Sequence, residues 1–179
     1  HIYGPLGLKD LILNQIKASG SWTKYRLIFH ILSSDKSEII FISEYIEVST
    51  IPLSHRIYTN GFLFKEINLP RKINPEALKD FNVNVAYANK LKQGFNVTND
   101  NGDLIENSLV TFNGLNPKSY AYCSDTEYDE SIVKLITGCD AIYHESTFLE
   151  KHQLLSKATK HSTAKQAGMT VSYTHLRAH

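Results

Sequence analysis

The stretch 120–169 alternates short apolar runs with polar residues, and it constrains the fold more than any other part of the chain. Its first apolar run ends at Asp125, its second ends at His144 and Glu145, and His161 stands where a helix is predicted to begin. Strand, helix, strand and helix therefore alternate, which predicts an α/β arrangement. The ends of such elements commonly hold catalytic groups on a rigid scaffold. The same residues also suit strand ends and helix caps, so spacing alone leaves both interpretations open.

The composition is that of an ordinary globular protein. The chain has 179 residues, of which 42% are hydrophobic and 21% charged, enough for one domain with a substantial core. The formal net charge of +1 excludes a protein that is basic overall, so any nucleic-acid binding must depend on a local patch. Two cysteines, Cys123 and Cys139, favour a reducing compartment such as the cytoplasm over a disulfide framework. No apolar run is as long as a membrane span.

The first half of the chain predicts one helix followed by a β-meander. An apolar stripe at helical spacing, entered at a Gly-Pro pair, predicts the helix; its members are Leu8, Leu11, Ile12 and Ile16. Short strands are predicted at 25–32, 38–43 and 45–48. The pair Asn60-Gly61 is a strong turn signal, so we predict a hairpin around it, with strands at 57–58 and 62–64.

The character of the sequence changes between Leu69 and Thr98. This segment holds two prolines, several asparagines and only weak periodicity, so we predict a weakly structured insertion, called the arm below. Its five cations exceed its two acidic residues by three, and a long basic insertion of this kind is typical of a functional arm or lid and also of a solvated surface loop. The cations are Arg71, Lys72, Lys79, Lys90 and Lys92. A turn at 99–103 and a strand at 108–112 are predicted to follow.

Two residues have the chemistry of metal ligands. The carboxylate of Asp125 can bridge two metal ions by giving one oxygen to each. His55, directly before a predicted strand, can ligate zinc through a neutral imidazole nitrogen. Each signal is weak alone, because an aspartate after a strand often caps a turn and a lone histidine usually lies on the surface.

Two further residues have the chemistry of an acid–base pair. His161 heads a helix, with Ser162 or Thr163 as its cap, and a carboxylate beside it would make it a general acid near neutral pH. Glu145 is the candidate partner. Because neighbouring side chains on a strand point to opposite faces, only one of His144 and Glu145 can face the site.

Several sequence blocks together resemble the ribonuclease Z family of tRNA 3′-processing endoribonucleases. The resemblance extends from Ile2 to about Thr170, with the blocks in the family's order. The blocks are IYGPLGL at 2–8, PLSHRI at 52–57, GFLF at 61–64, YAYCSDT at 120–126, YHESTF at 143–148 and HSTAKQA at 161–167. No single block is specific, but the series is.

The resemblance implies a metallo-β-lactamase αβ/βα sandwich, incomplete in this chain and carrying the arm as a flexible insertion. It implies an enzyme with two zinc ions that removes the 3′ trailer from precursor tRNA, leaving a tRNA 3′-hydroxyl and a trailer 5′-phosphate. His55 would bind one zinc ion, Asp125 would bridge both, and His161 would protonate the departing 3′ oxygen with Glu145 beside it. The arm's cations would contact tRNA phosphates. A homodimer in the cytoplasm, with no membrane association, is also expected.

The family's other ligands are expected outside these residues. A His-x-His-x-Asp-His motif belongs upstream of Ile2, and a His-x-Ser-x-Arg-Tyr element belongs after the helix that follows His161. We therefore expect the isolated chain to bind zinc weakly and to cleave no precursor tRNA. The domain is predicted to span 1–170, and 171–179 is predicted to be a foreign tail. Within that tail His175 and His179 have metal-pair spacing, which we attribute to chance.

Two other functions remain open from the residues. A different hydrolase on the same fold, such as a phosphodiesterase or an arylsulfatase relative, would share the metal site, although the basic arm and His161-Ser162-Thr163 favour the nuclease. A non-catalytic RNA-binding module becomes attractive only if both ends of the chain are natural. The full-length reading frame discriminates these functions, because the upstream histidine cluster is either encoded or not.

Overall fold

The computed structural model describes residues 1–174, which divide into two compact units. The first unit holds His1–Ile40, Val48–Leu63 and the chain from Tyr120 onward. The second holds Phe41–Glu47 and Phe64–Ser119. Each unit has its own cluster of buried apolar residues.

Eleven strands and seven helices follow one another along the described chain. The strands are β1 (Ile2–Gly4), β2 (Phe29–Ile31), β3 (Ile39–Ile42), β4 (Ile46–Leu53), β5 (Thr59–Glu66), β6 (Lys72–Ile73), β7 (Val97–Thr98), β8 (Leu104–Ile105), β9 (Thr111–Phe112), β10 (Ser119–Cys123) and β11 (Ala141–His144). The helices are α1 (Leu8–Ala18), α2 (Pro75–Asp80), α3 (Ala88–Lys92), α4 (Asn107–Val110), α5 (Val133–Ile136), α6 (Gln153–Thr159) and α7 (Ala164–Tyr173). Short 3₁₀ turns lie at Val85–Tyr87, Glu130–Ile132 and Glu150–His152.

The largest sheet has five strands in the order β11-β10-β5-β4-β3. Strands β10 and β11 are parallel neighbours, with Cys123 opposite His144. Since the carboxyl ends of parallel strands meet at one edge, the residues after Cys123 and His144 emerge side by side. This register brings Asp125 and Glu145 to the same edge of the sheet.

The core of the first unit follows from the alternation of side chains along β10. Ala121 and Cys123 are fully buried, whereas Tyr120 and Tyr122 point outward. The core consists of Ile51, Leu63, Ala121, Cys123, Ile132, Ile136 and Cys139. Both cysteines are free thiols, and burial raises the pKa of Cys123 to about 12. These cysteines therefore act as small apolar side chains.

The structure corrects the expectation of weak order between Leu69 and Thr98. Asn74 caps α2 by accepting the N–H groups of Glu76 and Ala77, and Pro75 occupies the first helical turn. The buried apolar residues of this unit are Ala77, Leu78, Val83, Leu91, Val97, Ile105 and Val110. Elements of two to six residues are too short to show periodicity, and the asparagines and prolines that suggested a loop serve partly as caps.

Two neighbouring predictions have different outcomes. The turn at 99–103 is confirmed, because β7 and β8 pair antiparallel around it and Gly102 has a φ of 92°. The strand predicted at 108–112 is wrong in its first part, which forms the short helix α4. Only Thr111 and Phe112 are extended, as β9.

The predicted hairpin at Asn60-Gly61 is wrong, because both residues lie inside the continuous strand β5. Gly61 is needed there for a close approach: a Cβ atom added to it would lie 2.3 Å from the carbonyl oxygen of Tyr122 on β10. The glycine thus allows two backbones to approach within the sheet, which is the other common role of glycine in a strand.

Helix α1 forms where the apolar stripe predicts it, between Gly7 and Ser19. It has no fully buried residue, and Leu11 of the stripe is 56% exposed. The strand predicted at 25–32 shrinks to β2, which pairs in parallel with β1, a strand that the sequence did not predict. The strand predicted at 45–48 is longer than expected and continues as β4 to Leu53.

Helix α7 begins with a capping box. The hydroxyl of Thr163 accepts the N–H of Gln166 at 3.2 Å, and the side chain of Gln166 accepts the N–H of Thr163 at 2.9 Å. His161 therefore lies two residues before the cap. The helix runs into the predicted foreign segment 171–179, whose foreign origin stays a prediction, and the pair His175 and His179 lies outside the described residues. No helix within residues 1–174 is long and apolar enough to cross a membrane.

The close approach of the backbone at Gly61 predicts that a larger residue there lowers the free energy of unfolding. Gly61→Ala should lower the free energy of unfolding by about 1–3 kcal/mol, because the added methyl group meets a backbone oxygen that cannot move alone. Gly168→Ala is the matched control: it lies in α7 with nothing within 4 Å of the added atom, so stability should rise by up to about 1 kcal/mol. Urea unfolding of the purified proteins measures both; equal effects would contradict the packing argument.

Candidate active site

The structure brings the predicted catalytic and metal-binding residues of the first unit together. They lie at element ends: His55 after β4, Asp125 after β10, Glu145 after β11, and His161 between α6 and α7. Ligand atoms of Asp125, Glu145 and His161 lie within 4.8 Å of one another. The rings of His55 and His161 meet edge to face, with centroids 5.1 Å apart.

Glu145 and His161 form a close pair. Nδ1 of His161 lies 2.8 Å from Oε1 and 3.1 Å from Oε2 of Glu145. Because an ionised carboxylate only accepts, Nδ1 carries the proton of this hydrogen bond. The other ring nitrogen, Nε2, is then the one that can exchange a proton with a substrate.

The carboxylate of Glu145 is buried and fully engaged. Besides His161, it accepts the N–H of Thr126 at 2.6 Å, the hydroxyl of Thr147 at 2.6 Å and the N–H of Ser162 at 3.2 Å. Burial alone would raise the pKa of Glu145, but these hydrogen bonds, led by that of Thr147, outweigh it and the pKa lies below its usual value. Glu145 is therefore ionised near neutral pH. With its acceptor sites occupied, it is better suited to orienting His161 than to binding a metal ion.

His55 is held in one tautomer by a backbone carbonyl. Its Nδ1 lies 2.9 Å from the carbonyl oxygen of Lys160, which can only accept, so Nδ1 carries the hydrogen. Nε2 of the neutral ring then presents its lone pair, as a metal-binding histidine requires.

Asp125 has an exposed side chain and a left-handed backbone, with a φ of 55°. This region is uncommon for residues other than glycine, although aspartate is among the more tolerant. An imidazole nitrogen and a carboxylate are both ligand types that zinc accepts. The free Nε2 of His55 and the exposed carboxylate of Asp125 therefore suit part of a metal site.

The ring of His144 is bound to a backbone group and not to the carboxylate of Glu145. Its Nδ1 donates to the backbone carbonyl of Glu145 at 2.8 Å. Its Nε2 is buried and has no hydrogen-bond partner among the described residues. Glu145 is thus the member of the His144–Glu145 pair that faces the site.

Sequence reasoning missed two buried residues that hold the loops together. Thr126 and Ser162 are both fully buried, and the hydroxyl of Ser162 donates to the carbonyl of Thr126 at 2.8 Å. The hydroxyl of Thr126 accepts the N–H of Ser54 at 3.2 Å. Thr126 directly follows Asp125, and Ser162 directly follows His161. This position beside a candidate site residue is the sequence signal that could have found them.

The predicted RNA-binding cations lie in the second unit. Lys72, Lys79, Lys90 and Lys92 are exposed. Arg71 is half-buried and is engaged within the unit, because its Nε donates to Thr111 at 2.7 Å and its Nη1 to Asn113 at 3.0 Å. The unit contains seven cations and eight acidic residues, so its formal charge is −1 and any attraction for RNA must be local.

Comparisons with known proteins point to one family. Ribonuclease Z of Cytophaga hutchinsonii is 40% identical over 170 residues, covering 93% of this chain and 53% of that protein. Ribonuclease Z of Porphyromonas gingivalis strain W83 is 35% identical over 167 residues, covering 93% and 55%. The chain thus spans about half the length of these curated relatives. No protein-family model matches it.

A solved structure shows the fold. The crystal structure of human tRNase Z, short form, has a TM-score of 0.61 and 18% sequence identity, and the match covers 98% of this chain and 57% of that one. The chain therefore has the metallo-β-lactamase fold, and the predicted fold class is confirmed. With the sequence identities above, it is homologous to ribonuclease Z, and the resemblance drawn from its motifs is confirmed as well.

The hydrogen bonds of Glu145 predict how the free energy of unfolding depends on pH. Because the pKa of this carboxyl is lowered in the folded protein, its stabilisation is complete above the unfolded value of about 4.3 and is lost as pH falls through the folded value. At pH 7, Glu145→Gln should lower the free energy of unfolding by about 2 kcal/mol. This difference from the parent should shrink as the pH falls below about 4.

Urea unfolding between about pH 7 and pH 3.5 measures this dependence. Glu38→Gln, at an exposed position of the same unit, is the control and should change little at either pH. A difference between parent and Glu145→Gln that stays constant down to the lowest pH would mean that folding does not lower the pKa of Glu145.

Proposed function

We propose that the protein to which this chain belongs is a metal-dependent endoribonuclease that removes the 3′ trailer from precursor tRNA. Cleavage leaves a 3′-hydroxyl on the tRNA and a 5′-phosphate on the trailer. The observation that carries the proposal is the Glu145–His161 pair, which stands beside His55 and Asp125 in a chain homologous to ribonuclease Z. A non-catalytic RNA-binding module has no evident need for a buried carboxylate aimed at a histidine.

In this proposal His161 is the general acid. The departing group is the 3′ oxygen of the last tRNA nucleotide, which must gain a proton as its bond to phosphorus breaks. His161 delivers that proton from Nε2, because Nδ1 is fixed on Glu145. Glu145 sets the ring orientation and stabilises the imidazolium before transfer, as a buried carboxylate does in other catalytic pairs.

His55 and Asp125 are the proposed metal ligands. Nε2 of His55 would hold one zinc ion, and the carboxylate of Asp125 would be shared between two. When bound, such a pair of ions supplies an activated nucleophile and neutralises charge on the phosphate. A homodimer located in the cytoplasm remains part of the proposal, and sedimentation of the complete protein tests the dimer.

The cations of the second unit are the proposed tRNA-binding residues. The exposed Lys90 and Lys92 lie in the last turn of α3, and Nζ of Lys90 lies 5.8 Å from the ring centroid of Tyr87. Contacts from such lysines go to phosphates, since base edges in duplex RNA are poorly accessible. Arg71, whose guanidinium already binds Thr111 and Asn113, would contribute least.

Replacing Asp125 tests the metal role. Asp125→Ala in the complete protein should abolish cleavage of both precursor tRNA and small phosphodiesters, because both need the ions that Asp125 holds. Cleavage assays with gel-resolved tRNA and a chromogenic diester measure the two activities. The control is Asp129→Ala, which removes the carboxylate that caps the 3₁₀ turn at Glu130–Ile132. It should retain both activities. Retained activity in Asp125→Ala would contradict the bridging role.

Replacing two lysines tests the arm. Lys90→Ala with Lys92→Ala should weaken tRNA binding and reduce the slope of log affinity against log salt by about one to two, because up to two phosphate contacts are lost. Hydrolysis of small phosphodiesters should be unchanged. Lys17→Ala in α1 is the control for losing a surface lysine. Equal losses on tRNA and on small substrates would instead assign the two lysines to the fold.

A further inference from the structure

Beside the site, three side chains form a polar cluster to which the proposed mechanism assigns no role. The ammonium of Lys160 binds Oε1 of Glu127, and the hydroxyl of Ser54 donates to the same oxygen at 2.5 Å. The backbone N–H of Glu127 donates in turn to the carbonyl of Ser54 at 2.9 Å. We call Ser54, Glu127 and Lys160 the latch.

The ion pair of the latch is partly exposed to solvent. The side chains of Lys160 and Glu127 are 40% and 23% exposed, so the Coulomb attraction alone contributes little to stability. A role in global stability is therefore a weak explanation of the latch. Its geometry points instead to positioning.

Every latch residue lies within two positions of a proposed site residue. Ser54 directly precedes His55, Glu127 follows Asp125 by two, and Lys160 directly precedes His161. The latch thus ties together three loops that are distant in sequence. These are the same loops that carry His55, Asp125 and His161.

Lys160 is bound at both its side chain and its backbone. Its ammonium binds Glu127, and its carbonyl accepts Nδ1 of His55 at 2.9 Å. Its backbone is left-handed, with φ 60° and ψ 47°, at the C-terminal end of α6. Glycine is the least strained residue in this conformation. A lysine at this position is strained, and its side chain provides the contact that glycine would lack.

We propose that the latch positions His55 as a metal ligand. The ion pair fixes the chain at Lys160, the carbonyl of Lys160 then holds Nδ1–H of His55, and Nε2 is left to bind the metal ion. Ser54, Glu127 and Lys160 are positioning residues that touch neither substrate nor metal. The inference rests on the proposed function only in taking His55 as a ligand.

Two variants break the latch from opposite ends. Lys160→Gly removes the ammonium and relieves the left-handed strain, whereas Glu127→Ala leaves the backbone of Lys160 unchanged. Lys160→Arg keeps the charge and should rescue the latch. Lys165→Ala is the matched control, because it breaks another lysine–glutamate pair in the same unit, with Glu150 at 3.6 Å.

Three measurements on the complete protein follow these variants. Long-range proton–nitrogen NMR of the metal-free protein reports which ring nitrogen of His55 carries the hydrogen. Competition with a chromogenic chelator gives the zinc affinity, and thermal unfolding gives the melting temperature. Both latch-breaking variants should shift His55 away from the Nδ1–H tautomer and weaken zinc binding about tenfold, the usual scale for loss of a group that orients a ligand.

The melting temperature separates positioning from a structural role. The melting temperature of Lys160→Gly should not fall below that of the unsubstituted protein. In Lys160→Arg and Lys165→Ala, the tautomer of His55 and the zinc affinity should both be unchanged. Unchanged tautomer and affinity in both latch-breaking variants would overturn the proposal. So would equal losses in Lys165→Ala, or losses that only track a lower melting temperature.

Failure of the latch and failure of the proposed function give different results. If the latch-breaking variants lose zinc affinity but the parent cuts no precursor tRNA, the latch stands and the function falls. If the parent cuts precursor tRNA and the latch-breaking variants bind zinc normally, the function stands and the latch falls.

Discussion

The arrangement of the site depends on one buried carboxylate. An ionised glutamate that is 6% exposed would cost several kcal/mol if its hydrogen bonds were not made. Glu145 avoids this cost by accepting hydrogen bonds from Thr126, Thr147, His161 and Ser162. These donors come from three loops, so satisfying one charge fixes all three loops. The requirement to solvate Glu145 within the protein and the requirement to place His161 for the proposed proton transfer are met by the same hydrogen bonds.

The sequence predicts those features of the first unit that depend on local chemistry. The apolar runs that form β10 and β11 and the cap of α7 are properties of a few adjacent residues, and each appears where expected. Their polar ends could be placed together because parallel neighbours end at one edge. The positions of Thr126 and Ser162 beside site residues are visible in the sequence, but their partners are not, since their hydroxyl groups bind groups 72 and 36 residues away. The same holds for Lys160, whose partners His55 and Glu127 come from two other loops.

Asparagine and glycine show why local signals fail where tertiary contacts decide. Asn60-Gly61 has turn chemistry, but the carbonyl of Tyr122 on the neighbouring strand requires a residue without a Cβ atom, and the pair is extended. Asn74 and Asn84 suggested a loop, yet each accepts backbone N–H groups at the start of a helical turn. In both cases the residue type is compatible with two structures, and burial elsewhere selects one. The apolar residues that form the second core are spread over elements too short to reveal it in the sequence.

Charge in the second unit also has to be considered residue by residue. The unit is formally −1, although the segment 69–98 is +3 when taken alone. At physiological salt, charges interact over about 8 Å, so a phosphate near Lys90 and Lys92 responds to those two ammonium groups and only weakly to distant acids. The same lysines suit the C-terminal end of α3, where cations offset the helix dipole. The C-terminal end of the helix and the proposed phosphate binding therefore favour the same charge at the same place, and neither role excludes the other.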